Sequence, residues 1–344
     1  MTVATLHSYL EGWARTDTVR VDVATTVDAI AAASIAVADL ISRAPLLSGH
    51  APVGVNADGD EQSPLDVMAD SLITDALRMA PVAALASEEQ AQPVRMQPGA
   101  SLAVALDPLD GSSSLATNVS AGTIFGIVPT RHAAAGIEDP FRQPGSRQLA
   151  AGFAMYGPQT VLVLTLGDGV DLFVHTQGRG FVLARRNLLI PAGRREYAIN
   201  GSNRRHWDDP IRHYVDDCVA GMDGPRRADF NARWLASLVA EAYRILGRGG
   251  IFLYPADRRP GYANGRLRLL YEANPIALLA EQAGGAATDG RVRILDIEPG
   301  SIHERVPLAF GAADEVERFL SYRSDRVAIA ERSPLFGRRG LLRV

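Results

Sequence analysis

The sequence predicts a layered α/β fold. Helix-like and strand-like segments alternate along the chain, and the strand-like runs between residues 102 and 184 are short, apolar and bounded by turn signals. With 344 residues, 47% of them hydrophobic and 22% charged, the chain can fill one large or two ordinary domains around an ample core.

Thr25–Arg43 is rich in Ala with spaced Ile, Val and Leu, the pattern of an amphipathic helix. Residues 52–62 form a polar, Gly-containing loop. Ser63-Pro64-Leu65-Asp66 opens the next helix, with Ser63 as N-cap, Pro64 at the first position and Asp66 in the first turn. Leu102–Leu106 reads as a buried strand that stops at the turn-forming string Asp107-Pro108-Leu109-Asp110-Gly111. Strands follow at 123–128, 149–156, 160–166, 170–175 and 180–184, with Gly167-Asp168-Gly169 making a hairpin. Beyond Pro191-Ala192-Gly193 the pattern mixes: helices at 208–219, 232–246, 275–282 and 314–322, strands at 251–254 and 267–271. A boundary near residue 195 separates an N-terminal domain (1–195) from a C-terminal one (196–330), with a weakly patterned tail (331–344).

Composition narrows the function. Asp+Glu exceeds Lys+Arg by 39 to 35, a net charge of -4, which argues against a general nucleic-acid binder. Cys218 is the single cysteine, so an intrachain disulfide or a multi-cysteine zinc site is excluded. No apolar run is expected to reach the ~18 residues of a membrane span. The first 17 residues carry charges inside their apolar patch and make a poor signal peptide. The expected compartment is the cytoplasm. No lysine occurs, so any anion site must use Arg forks, backbone N–H groups and hydroxyls.

Asp107 to Ser113 carries the most chemistry. Two carboxylates three residues apart, with the Leu109 carbonyl between them, offer the all-oxygen company that Mg²⁺ and Mn²⁺ prefer. The N–H groups of Gly111, Ser112 and Ser113 can form an anion nest beside them. A cation next to a phosphate cup is minimal equipment for phosphoryl transfer. The plainer alternative is an Asx-turn with both Asp side chains capping backbone groups. Glu88 and Glu89 follow an apolar run; adjacent strand residues point opposite ways, so a turn is needed for both to reach one site. They are otherwise a solvated acidic loop. Asp66 also suits a first helical turn on dipole grounds alone, and Asp60 a simple turn. Arg266 and Arg268 alternate onto one strand face, which suits an anion, and Glu272 at the strand end can join the acids. Arg233, Trp234 and Tyr254 add a guanidinium and aromatic faces.

These motifs together resemble class I fructose-1,6-bisphosphatases. The string Ala105 to Ser113 is similar to that family's signature. Gly122-Thr123-Ile124-Phe125-Gly126-Ile127, Gly249-Gly250-Ile251-Phe252-Leu253-Tyr254-Pro255 and Leu267-Arg268-Leu269-Leu270-Tyr271-Glu272-Ala273-Asn274-Pro275 follow in the family's order. The resemblance covers about residues 55–325 and implies an αβαβα sandwich, the sugar-phosphatase fold. It implies that Glu88, Glu89, Asp107, Asp110, Glu272 and the Leu109 carbonyl hold two or three Mg²⁺ or Mn²⁺ ions. It further implies that Asp60, Asp66 and Glu89 handle the attacking water, and that Gly111, Ser112 and Ser113 take the 1-phosphate. Asn200, Tyr254 and Arg266 would take the 6-phosphate, with Arg233 reaching in from a neighbouring subunit of a homotetramer, and Leu238 and Asp110 would flank the sugar. The expected reaction is hydrolysis of fructose 1,6-bisphosphate, in gluconeogenesis or the Calvin cycle, without nucleic-acid or membrane partners. Ser333 to Arg339 resembles Calvin-cycle members. Alternatives are a bifunctional enzyme that also cleaves sedoheptulose 1,7-bisphosphate, an inositol-monophosphatase-like enzyme, or a silent metal-binding protein. The chain departs from the family at Ser114 (usually Asn), Arg266 (often Lys) and Trp234 (usually Tyr).

Overall fold

The computed structural model describes residues 4–46, 54–55, 61–130 and 136–324. Asp60 and the C-terminal tail lie outside the described residues. Three helices begin the fold: α1 (Leu6–Ala14), α2 (Thr18–Ser42) and α3 (Pro64–Leu77). Side chains cap each start. Thr5 accepts from the Ser8 N–H, Asp17 from that of Arg20, and Ser63 with Asp66 forms a reciprocal capping box. The Asp17 cap starts the second helix seven residues before the expected Thr25. By length and composition α2 could also cross a membrane, which corrects the expectation that no stretch would. Here Val23, Val27, Ile30, Val37 and Leu40 bury one face of it in the core.

A short pair, β1 (Gly54–Val55) and β2 (Glu61–Gln62), precedes α3. The main sheet contains β3 (Val82–Ser87), β4 (Val94–Arg95), β5 (Leu102–Asp110), β6 (Ala121–Pro129), β7 (Ala150–Tyr156), β8 (Val161–Thr165), β9 (Asp171–Thr176) and β10 (Gly180–Arg185). Its order is β10-β9-β8-β7-β6-β5-β3-β4, antiparallel except for the β3–β5 pair. The expected hairpin at Gly167-Asp168-Gly169 joins β8 to β9. Both faces of the central strands are covered, which is why β5, β6 and β7 read as largely apolar runs.

The second sheet follows: β11 (Glu196–Ala198), helix α4 (Asp209–Val219), β12 (Asn231–Ala232), helix α5 (Leu238–Arg248) and β13 (Ile251–Tyr254). Then come β14 (Leu267–Arg268), helix α6 (Asn274–Gln282), β15 (Gly285–Thr288), β16 (Arg305–Val306), β17 (Leu308–Ala312) and helix α7 (Ala313–Ser324). The order is β12-β11-β13-β17-β15, with β14 and β16 paired separately. Packing gives five layers. Helices α1–α3 cover one face of the main sheet through Leu10, Ile30, Ile73, Val104 and Phe125. The other face, with Ile124, Phe153 and Val163, packs on α5 and α6, which also touch Phe252 and Phe310 of the second sheet. Helices α4 and α7 close the far side through Tyr214, Val215, Val316 and Phe319.

Three further expectations are corrected. The strand at 102 does not stop at Asp107. It runs to Asp110 through a bulge: Asp107 pairs with Ile124 and Asp110 with Gly122, three steps against two. Pro108 lacks the N–H that a regular ladder would need there. The helix expected from Ala232 starts at Leu238 instead, because Ala236 adopts a left-handed φ of 56° and Ser237 supplies the cap. The strand expected over 267–271 shortens to β14. A π-helical turn, Leu269–Ala273, follows, in which the Asn274 N–H closes on the Leu269 carbonyl.

Gly122 sits opposite Asp110 where β6 passes under α5. A Cβ there would lie 2.3 Å from the Ala154 carbonyl oxygen and 2.8 Å from both Val239 methyls. Gly122→Ala should destabilise the fold by about 1–3 kcal/mol in urea unfolding. Gly12→Ala, on α1 with nothing within 4 Å, should instead stabilise by about 0.5–1 kcal/mol. Equal effects from the two would contradict this packing.

Candidate active site

Residues i and i+3 of a regular strand point to opposite faces. The bulge in β5 inserts one residue between Asp107 and Asp110 and re-aims them. With Glu272, from the π-helical turn, they place carboxylate oxygens within 4.8 Å of one another. Each acid is held by one backbone N–H. Asp107 Oδ1 accepts from Leu109 (3.0 Å), Asp110 Oδ2 from Val239 at the start of α5 (2.9 Å), and Glu272 Oε2 from Arg268 (2.6 Å). One carboxylate oxygen of each lies in the shared space. Both Asp side chains of the Asp107 string accept backbone N–H groups, and both also share one acidic cluster with Glu272.

Glu88 and Glu89 arrive from the end of β3. The Glu88 N–H still pairs with the Leu106 carbonyl (3.0 Å), and a turn then closes from the Gln90 N–H to the Ser87 carbonyl (3.2 Å). That turn is what lets adjacent carboxylates approach one site. Buried Asp70 fixes it by accepting from Ser87 Oγ (2.5 Å) and Gln90 Nε2 (2.6 Å). Glu89 Oε2 accepts from Gln62 Nε2 (2.6 Å). Asp66 serves as cap and as site residue: Oδ2 accepts from the Ser63 N–H (2.7 Å), while Oδ1 is buried without a hydrogen-bond partner among the described residues.

Electrostatics follow from this crowding. Burial drives the Asp107 carboxyl well above its usual range, and Glu88, Asp110, Glu272 and Glu89 push it further. Burial, then the Glu88 charge, does the same to Glu272. Burial raises Glu89 to about 7 against the opposing Gln62 hydrogen bond, with Asp66 and Asp70 adding to the rise. Asp110 rises to about 6 through burial, opposed by the hydrogen bonds from Val239 and Ser237. A hard divalent cation suits this set, since every donor is a carboxylate oxygen and the acids repel one another without one.

The Gly111 turn is left-handed at φ 75°, and the 3₁₀ turn Ser112–Thr117 begins from it. Ser112 and Ser113 thus follow directly on the acidic strand. On the other side, Asn200, Tyr254 and Arg266 line one small pocket with Asn203 and Asp257. The two groups adjoin, since the charge of Glu272 reaches Tyr254. Leu238 is buried at the first position of α5, beside the Asp110 grip. Arg233 is exposed and does not line the pocket. The expectation that Arg266 and Arg268 share one anion-facing side is corrected. Only Leu267–Arg268 is strand, and the Arg268 side chain is buried with a guanidinium nitrogen 3.6 Å from Glu88, on the acidic side. Sequence reasoning missed Gln62, Asp70, Ser237 and Asn203. Ser237 could have been found as a cap preceding an apolar run; the others carry no local signal.

The domain family described as "Fructose-1-6-bisphosphatase, N-terminal domain" matches residues 6–186, and its C-terminal counterpart matches 190–324. The chain is similar to "Fructose-1,6-bisphosphatase class 1" of Rhodopseudomonas palustris (strain BisB18), 54% identical over 99% of this chain and 98% of that one. It is 53% identical to the same-named protein of Rhizobium meliloti (strain 1021), over the whole of both chains. Among solved structures, the holo form of Leishmania major fructose-1,6-bisphosphatase superimposes with a TM-score of 0.87 at 33% identity, covering 94% of this chain and 100% of that one.

The raised carboxyls make a pH test. A group whose folded pKa exceeds its unfolded value binds more protons when folded, so its contribution to stability falls as pH rises between the two. For Glu89 that window runs from about 4.3 to about 7, and for Asp110 from about 3.9 to about 6. In a chelator, Tm should drop between pH 5 and pH 8, and excess Mg²⁺ or Mn²⁺ should restore it most at the upper end. Glu89→Gln should flatten the metal-free slope. A metal-free Tm that climbs over this interval would contradict the clustering.

Proposed function

The chain belongs to the fructose-1,6-bisphosphatase family, class 1, a phosphatase that hydrolyses fructose bisphosphate, and we propose from that premise how its own residues divide the work. The observation that carries the reading is the convergence of Asp107, Asp110 and Glu272 beside the left-handed Gly111 turn. Glu88, Glu89 and the Leu109 carbonyl complete the ligand set for two or three Mg²⁺ or Mn²⁺ ions. A divalent cation held there supplies charge that polarises the phosphoryl group and offsets the leaving alkoxide.

The rest falls to the chain itself. Glu89, oriented by Gln62, takes the proton of the attacking water. Asp66 offers its buried Oδ1, which has no hydrogen-bond partner among the described residues, to the same water, with Asp60. The N–H groups of Gly111, Ser112 and Ser113 hold the 1-phosphate. Asn200, Tyr254 and Arg266 hold the 6-phosphate at the far end of the sugar, while Leu238 and Asp110 bound its ring. Arg233, exposed here, serves the neighbouring subunit of a homotetramer. We divide the chain near residue 195 into metal-binding and sugar-phosphate domains. We place the enzyme in the cytoplasm, in gluconeogenesis or the Calvin cycle.

Phosphate release from fructose 1,6-bisphosphate should require a divalent ion and stop in a chelator. Glu89→Gln and Asp110→Asn should each lower kcat by about 10²-fold or more with the fold retained by circular dichroism. Near-normal rates in both variants would overturn the assignment. Parallel assays on sedoheptulose 1,7-bisphosphate and inositol 1-phosphate read the substrate range.

A further inference from the structure

The end of β13 and the loop joining it to β14 bring Tyr254, Arg259, Tyr262 and Arg266 side by side. The guanidinium carbons of Arg259 and Arg266 lie 4.4 Å and 4.7 Å from the centre of the Tyr262 ring, and that of Arg266 lies 5.7 Å from the Tyr254 ring. Two cations over one ring would repel, but they differ in their partners. Arg259 is clamped by Asp257, whose carboxylate accepts from Nε at 3.0 Å and 3.1 Å and from the adjacent terminal nitrogen. No ion pair to Arg266 occurs among the described residues, so its fork is left to meet an anion in the pocket.

The loop backbone is tied in turn. The Tyr262 carbonyl accepts from Asp257 and Gly265 N–H groups, both at 3.1 Å, and the Tyr262 N–H donates to Arg259 (3.1 Å). Gly265, at φ 83°, runs so close to the Val306 and Pro307 backbone that a Cβ would meet it at 2.3 Å. The ring of Tyr262 is therefore a fixed platform next to Arg266, and Arg266 opens onto the pocket with Asn200, Asn203 and Tyr254.

We propose that Tyr262 is a positioning residue for substrate specificity: its ring, with that of Tyr254, holds the Arg266 guanidinium toward the phosphate distal to the bond that is cut. This rests on the phosphatase reading above and assigns it a further residue. A guanidinium held against aromatic faces presents its fork with less rotational freedom to lose, and the stacking itself is electrostatically favourable. Tyr262 does not itself line that pocket, so its part is to position Arg266.

The test compares Tyr262→Leu with Tyr262→Phe on fructose 1,6-bisphosphate and on fructose 1-phosphate, which lacks the distal group. Tyr262→Leu should raise KM for the bisphosphate about three- to tenfold with kcat within twofold. It should leave fructose 1-phosphate hydrolysis unchanged. Tyr262→Phe keeps the ring and should behave as wild type. An unchanged KM in Tyr262→Leu, an equal loss on both substrates, or a Phe variant as weak as the Leu variant would each overturn the proposal. Wild-type protein that releases no phosphate from either substrate would instead remove the phosphatase reading itself, a separate failure.

Discussion

Carboxylates that must sit together in a dry place govern this structure. Asp107, Asp110, Glu272, Glu88 and Glu89 crowd together, and burial penalises the charges of Asp107, Asp110, Glu272 and Glu89. Nothing in the local sequence rewards that arrangement. Backbone geometry has to impose it, and the imposing features are irregular ones: a bulge at Pro108, a π-helical turn before Asn274, and a left-handed residue at Ala236 that aims the first turn of α5 at Asp110. Irregular backbone is sustained only where the surroundings over-determine it. Here two sheets and three helical layers do so.

Much of the fold was legible because it is written in strong, local signals. The apolar runs of β5 to β8 and the Ser63-Pro64 start of α3 need no tertiary knowledge. The strands β11, β15 and β17 are different. They are three to five residues long and include Glu196-Tyr197-Ala198 and Gly285-Ala286-Ala287-Thr288, which carry no β signature and become strands only through their neighbours. Helix α1 is likewise faint in the sequence, since a nine-residue helix depends on packing more than propensity.

The site divides along the same line. Its acids stood out in the sequence because adjacent or closely spaced carboxylates are costly without a purpose. The groups that hold those acids did not. Asp70 acts on Ser87 and Gln90, Gln62 acts on Glu89 across 27 residues, and Ser237 acts on Asp110 across 127. Contacts across such separations leave no periodic trace. Arg268 shows the converse: its alternation with Arg266 was real in the sequence, but the strand that would express it ends after two residues.

The middle helical layer has one more implication. Helices α5 and α6 carry apolar side chains toward both sheets: Ile245 and Leu279 lie in the same cluster as Phe153 on one side and Phe310 on the other. Neither sheet owns that interior. Severed at residue 195, the N-terminal piece would keep its own helices on one face and bare an oily wall on the other, while the C-terminal piece would expose the reverse of α5 and α6. The two halves divided at residue 195 thus share one apolar interior.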